Sequence, residues 1–118
     1  MKVYILDLKN KNREKMLQWL YEDKRVEIIE SFEDYLSLIE MVANSPPDLC
    51  VVRLGMDGIP GLKVADMVKQ ISPATRTVFI SDSRDYAVDA YEVGAYGYLL
   101  GPVSRDKFNK FFSKGDKK

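Results

Sequence analysis

Short apolar runs alternate with stretches of helical spacing along this chain. Val3-Tyr4-Ile5-Leu6 is a strand-type run that ends at Asp7. Asn10 is the expected cap of a helix with Met16, Leu17, Leu20 and Tyr21 on one face. Val26, Ile28 and Ile29 mark a second strand. Ser31 with Asp34 three residues on reads as a capping-box variant, opening a helix with Leu36, Ile39 and Ala43. Asn44-Ser45-Pro46-Pro47 stops that helix, because proline disfavours helical backbone at the residue before it. Leu49-Cys50-Val51-Val52 is apolar at every position, as a strand covered on both faces of a parallel sheet must be.

Pro60 suits the first turn of a helix carrying Leu62, Val64, Ala65, Val68 and Ile71, which Ser72-Pro73 ends. Thr77-Val78-Phe79-Ile80 is a fourth strand, and Asp85 to Val93 a short helix with Gly94 at its left-handed C-terminal position. Tyr96 to Leu100 is a fifth strand. Gly101-Pro102 turns the chain, and Ser104 caps a last helix through about Phe112, with residues 114–118 read as a tail or the start of a linker. Five strands alternating with five helices predict one α/β domain over residues 1–118, a flavodoxin-like, doubly wound parallel sheet of order 2-1-3-4-5. Ligands of such sheets sit beyond the carboxyl ends of the strands, at the switch point between the first and third.

That topology directs attention to strand ends. Asp7 ends the first run and Arg53 the third, and neighbouring strands lie about 4.8 Å apart, so the two side chains are expected to meet. Ser81 ends the fourth run and Gly101 follows the fifth.

Composition narrows the chemistry. The chain has 118 residues, no histidine and one cysteine, so it holds no Ser-His-Asp triad, no histidine zinc site and no CxxC motif. Cys50 is read as an inert buried thiol in a reducing compartment. Eighteen basic residues balance eighteen acidic ones, which argues against direct nucleic-acid binding. The balance is uneven: Glu22 to Asp48 holds eight acids and two bases, and Val103 to Lys118 six bases and two acids. These are read as solvated faces or as docking surfaces. No run reaches the roughly 18 apolar residues of a membrane span, and no signal peptide is read. Gly55, Gly58 and Gly61 recur at every third residue, without the GK[ST] or GxGxxG of a nucleotide loop.

Together these motifs resemble the response regulator receiver domain, the aspartate-phosphorylated module of two-component phosphorelay signalling. The resemblance covers nearly the whole chain. Pro47 to Arg53 is similar to the family's PDLVLLD run, Ser81 to its Ser/Thr after the fourth strand, and Gly94-Ala95 with Tyr98-Leu99-Leu100-Gly101-Pro102 to its GA and YLxKP signatures. Tyr86 to Pro102 most resembles receivers of LytTR-type transcription regulators.

Three chemical positions depart from the family. Leu8 replaces the second of two adjacent acids that hold Mg²⁺, Arg53 the phosphoacceptor aspartate, and Gly101 the lysine that contacts the phosphoryl group. The loop Gly55 to Gly61 shifts the family's proline. A permanently protonated arginine is no nucleophile, and one carboxylate beside it is a poor magnesium site. The resemblance therefore implies a pseudo-receiver: not an enzyme, cytoplasmic, without a cofactor, with Mg²⁺ binding weak or absent. Arg53 is expected to pair with Asp7 in the metal's place. The pair could be purely structural, could freeze one signalling state, or could sense an anion.

Other residues carry two readings each. Ser81 is a strand-end hydroxyl or a switch contact, and Tyr98 a packed aromatic or the family's rotamer switch. Trp19 is helix-edge packing or a contact anchor. The resemblance implies partners at the fourth helix, fifth strand and fifth helix, through Tyr91, Tyr96, Tyr98 and Phe108, whether an attached output domain, a homodimer or another protein. Two alternatives remain: an active receiver with an unusual acceptor such as Asp57, and a flavodoxin-like binder of a small anion or nucleotide. Gly101-Pro102 is expected to be cis.

Overall fold

A computed structural model describes residues 1–115. Five strands and five helices alternate: β1 (Lys2–Leu6), α1 (Asn10–Tyr21), β2 (Ile28–Phe32), α2 (Tyr35–Asn44), β3 (Leu49–Arg53), α3 (Gly61–Ile71), β4 (Arg76–Ser81), α4 (Ala87–Glu92), β5 (Gly97–Leu100) and α5 (Arg105–Gly115). The sheet is parallel throughout, in the order β2-β1-β3-β4-β5. This is the flavodoxin-like arrangement expected from the alternation.

Side chains alternate across each strand, so the all-apolar runs feed two cores at once. Tyr4, Leu6, Cys50, Val52 and Phe79 point to one face, where α2 and α3 cover them with Leu38, Val42, Val64 and Val68. Val3, Ile5, Leu49, Val51, Val78 and Ile80 point to the other, under Met16 and Leu20 of α1 and Phe108 of α5. The interior strand β3 is buried at all five positions, whereas the edge strand β2 buries only Phe32. That difference explains why β3 is uniformly apolar and β2 carries Glu30 and Ser31.

Helix ends depart from expectation in several places. Asn10 is the first residue of α1 rather than its cap; Lys9 holds the cap position without a side-chain hydrogen bond. Asn10 Oδ1 instead accepts from Arg13 Nη2 at 2.7 Å. Ser31 lies within β2, opposite Ile5, and therefore cannot open α2. The cap is Asp34, whose Oδ1 accepts from Ser37 N at 2.7 Å. Starting there, α2 buries Leu38 and Val42, with Tyr35 and Ile39 packed alongside, while Leu36 and Ala43 face solvent. Tyr21 is likewise exposed at the end of α1. Pro60 caps α3 rather than occupying its first turn.

Gly94 (φ 89°) follows α4, as its left-handed role requires. Ser104 Oγ accepts from Lys107 N, so the expected cap of α5 is present. The helix runs past Phe112 to Gly115, placing 114 and 115 in the helix instead of a tail; 116–118 lie outside the described residues. No helix among the described residues is long and apolar enough to cross a membrane.

Candidate functional site: a charge cluster at the strand ends

The register brings the first and third strand ends together. Leu6 pairs with Val52, so Asp7 and Arg53, each the next residue, face one another. Arg53 Nε donates to Asp7 Oδ1 at 2.6 Å, with Asp7 fully buried and Arg53 3% exposed. The meeting expected from the strand ends is thus present.

Asp7 accepts three hydrogen bonds in all. Its Oδ1 also accepts from Lys9 N at 2.9 Å, and its Oδ2 from Asn12 Nδ2 at 2.8 Å. Burying a carboxylate costs several kcal/mol unless it is paired and hydrogen-bonded, and both conditions are met here. A magnesium ion would need these same oxygens and others beside them. Leu8 offers only an apolar side chain, 41% exposed, and its backbone N–H lies 3.3 Å from Met56 Sδ. The described residues contain no cluster of three metal-ligating side chains. The donor set around Asp7, with a cation already in contact, does not fit Mg²⁺.

The cluster extends beyond the expected pair. Asp82, the first residue after β4, accepts from Arg53 Nη1 at 3.5 Å through Oδ1, and pairs with Lys9 Nζ through Oδ2. Lys9, first, and then Arg53 hold the Asp82 carboxyl below the usual carboxylate range. Charges therefore alternate along Asp7, Arg53, Asp82 and Lys9, joining the loops after β1, β3 and β4. Gly101 makes this geometry possible, since a Cβ there would lie 2.8 Å from Asp82 Oδ1. Lys9, Asn12 and Asp82 escaped the reading of strand-terminal residues because each lies one or more positions past a strand end. The usable clue is charge: Asp82 directly follows one expected strand end and Lys9 lies two residues past another.

The remaining candidates are placed individually. Ser81 is buried, and its Oγ accepts from Ser83 N at 3.0 Å, a strand-end hydroxyl on backbone. Tyr98 is half-buried, and its hydroxyl donates to Ser83 O at 2.5 Å, in the same loop. The Gly101–Pro102 bond is cis. Asp57 is exposed on the loop before α3, where Gly55 and Gly58 take positive φ and account for the glycine spacing as a turn. Cys50 is buried, which pushes its thiol up to about 12 and leaves it unreactive.

The surface expected from α4, β5 and α5 needs correction. Phe108 is 1% exposed and belongs to the core, its ring 5.6 Å from that of Trp19. The cause is the approach of α1 to α5, which turns Phe108 inward and packs the half-buried Trp19 along the helix edge. Tyr96 is half-buried between Phe111 and the Arg76 guanidinium, 4.9 Å from its ring centroid. Of the four aromatics only Tyr91 is largely exposed.

Comparison with known proteins agrees with the fold. The family model of the response regulator receiver domain matches residues 3–112. The chain belongs to that family. It is 28% identical over 114 residues to an uncharacterised response regulatory protein of Yersinia pestis, covering 97% of this chain and 48% of that protein. It is 30% identical over 115 residues to the transcriptional regulatory protein BtsR of Escherichia coli, covering 96% and 47%. The sensory transduction protein LytT of Bacillus cereus is 25% identical, with 97% and 46% covered. The chain thus spans about half the length of the curated relatives it matches. The response regulatory domain of MrkE from Klebsiella pneumoniae superposes with a TM-score of 0.86 at 23% identity, covering 97% of this chain and 93% of that one.

Proposed function

We propose that this receiver domain takes up no phosphoryl group at the end of its central strand and signals through protein contacts. One observation carries this reading: Arg53 occupies the acceptor position, buried, with its guanidinium on Asp7. A protonated guanidinium cannot attack phosphorus, and both Asp7 oxygens already accept hydrogen bonds, one of them from that guanidinium. On this reading the module is not an enzyme, needs no cofactor, binds Mg²⁺ weakly or not at all, and works in the cytoplasm. Its partner is an attached output domain, a second copy through α4, β5 and α5, or another protein. A groove of about 520 Å³ on that face, lined in part by Arg84, Tyr98, Lys107 and Lys110, supports the location. The matched relatives' extra length and regulator names favour an output domain in transcription control.

The test is incubation with acetyl phosphate and Mg²⁺, followed by intact mass. No stable gain is expected. A stable gain of one phosphoryl group would overturn the reading that the domain signals without one, and its loss in Asp57→Asn would make Asp57 the acceptor. Magnesium titration sharpens the cause: saturable heat should be absent in the native chain and emerge on combining Leu8→Asp with Arg53→Asp, which returns carboxylates to the site.

A further inference from the structure

A hollow of about 380 Å³ lies apart from the charge cluster, where α3 begins. None of Asp7, Lys9, Arg53 and Asp82 lines it. Its walls are Leu54, Met56, Ile59 and Leu62, with the ring of Tyr86 from the start of α4. The floor is close-packed backbone. Gly61 opens α3 directly against the end of β3, where a Cβ would lie 2.7 Å from Leu54 Cδ2 and 3.2 Å from Arg53 O. Met56, Ile59 and Leu62 lean on the core yet stay only half-buried. Apolar surface from three neighbouring side chains is therefore left in water, and an apolar ligand in the hollow would remove it.

Size, shape and charge narrow the occupant. The volume falls in the range of small-molecule sites and is too narrow for a helix, about 10–12 Å across with its side chains. Tyr86 supplies one flat wall and is 37% exposed. It also borders a smaller hollow of about 190 Å³ beside Ser81 and Ser83, so the ring has room on both sides to align with a ligand ring. Lys63 is the one charged side chain on the wall. Asp57, in the same loop, does not line it, and Asp66 accepts from Gln70 Nε2 at 3.1 Å instead. A cation entering this space would lose its hydration and meet no carboxylate, whereas a neutral or anionic molecule pays no such cost. We propose that the hollow binds a small, flat aromatic molecule without positive charge, its ring against Tyr86 and between the aliphatic walls. Met56, unbranched and polarizable, adapts to the ring edge.

No bond forms to the protein and Arg53 takes no part, so the outcome is independent of whether the domain is phosphorylated. Indole, indole-3-acetate and tryptamine share one ring and differ in charge, being neutral, anionic and cationic near neutral pH. Each is titrated into the full chain and followed by backbone amide shifts, with intact mass checked. Saturable shifts centred on residues 54–63 and 86, at unchanged mass, are expected with indole and indole-3-acetate. Tryptamine should bind at least about tenfold more weakly. Tyr86→Ala should weaken indole about tenfold, and Ile59→Trp, which fills the hollow, should abolish its binding. An unaltered far-UV spectrum shows that a variant has folded, and either variant suffices. Indole shifts that grow without saturation, that persist unchanged in a folded variant, or that tryptamine reproduces at equal affinity would overturn the proposal.

Discussion

Arg53–Asp7 and Lys9–Asp82 belong to one charge cluster at the carboxyl end of the sheet, yet one pair is sealed and the other faces water. The Arg53 and Asp7 side chains are 4% and 0% exposed, whereas those of Lys9 and Asp82 are both 57% exposed. In the sealed pair neither ion can find water if its partner leaves, so the pair works as a unit whose members cannot be removed singly. In the open pair each ion is already hydrated, and solvent and salt replace the partner cheaply. The same chemistry therefore supplies a fixed element and an exchangeable one a few ångströms apart.

The largest expected effect breaks the sealed pair. Asp7→Ala should cost about 3–5 kcal/mol in urea denaturation, because it strands a buried guanidinium. Replacing both partners with apolar side chains, Asp7→Leu with Arg53→Met, should recover roughly half of that loss or more. A double variant as unstable as the single one would show that the cost lies in Lys9 N and Asn12, the other donors to Asp7.

Next comes the contact between the two pairs. Gly101→Ala should cost at most about 1 kcal/mol and expel the exposed Asp82 carboxylate from Arg53, visible as a displaced carboxylate in a crystal structure.

Lys9→Ala should be the mildest change, about 0.2–1 kcal/mol, and should shrink further with added salt. Titration gives a finer reading of the same pair. The depressed Asp82 carboxyl contributes stability that is present above the ordinary carboxylate range and is lost as pH falls through its folded value. Lys9→Ala should move that titration back toward the ordinary value, as followed by side-chain carboxyl NMR. No movement would mean that Arg53, not Lys9, dominates.

Much of this molecule can be read without coordinates. Strand runs such as Leu49 to Val52 declare burial on two faces, and the proline and glycine stops at Pro46-Pro47, Ser72-Pro73 and Gly94 separate the units. Once the order 2-1-3-4-5 is in hand, Asp7 and Arg53 must be neighbours, because both directly follow paired apolar residues. Helix faces are less legible. Leu36 and Leu38 are equally apolar in sequence, and only the start of α2 at Asp34 decides which one faces the sheet. Phe108 has the spacing of an exposed or a buried aromatic alike, until α1 is placed beside it.

The sequence by itself determined the parallel sheet and the meeting of Asp7 with Arg53 at its strand ends, since these follow from periodicity and from residue type. Tertiary structure alone decided that Asp82 and Lys9 join the cluster, that Phe108 leaves the surface, and that one ion pair is dry while the other is wet. Loop paths and desolvation depend on elements far apart in the chain: Asp7 is buried by what α1 and β3 bring over it, whereas the turn after β4 leaves the Asp82 side chain 57% exposed.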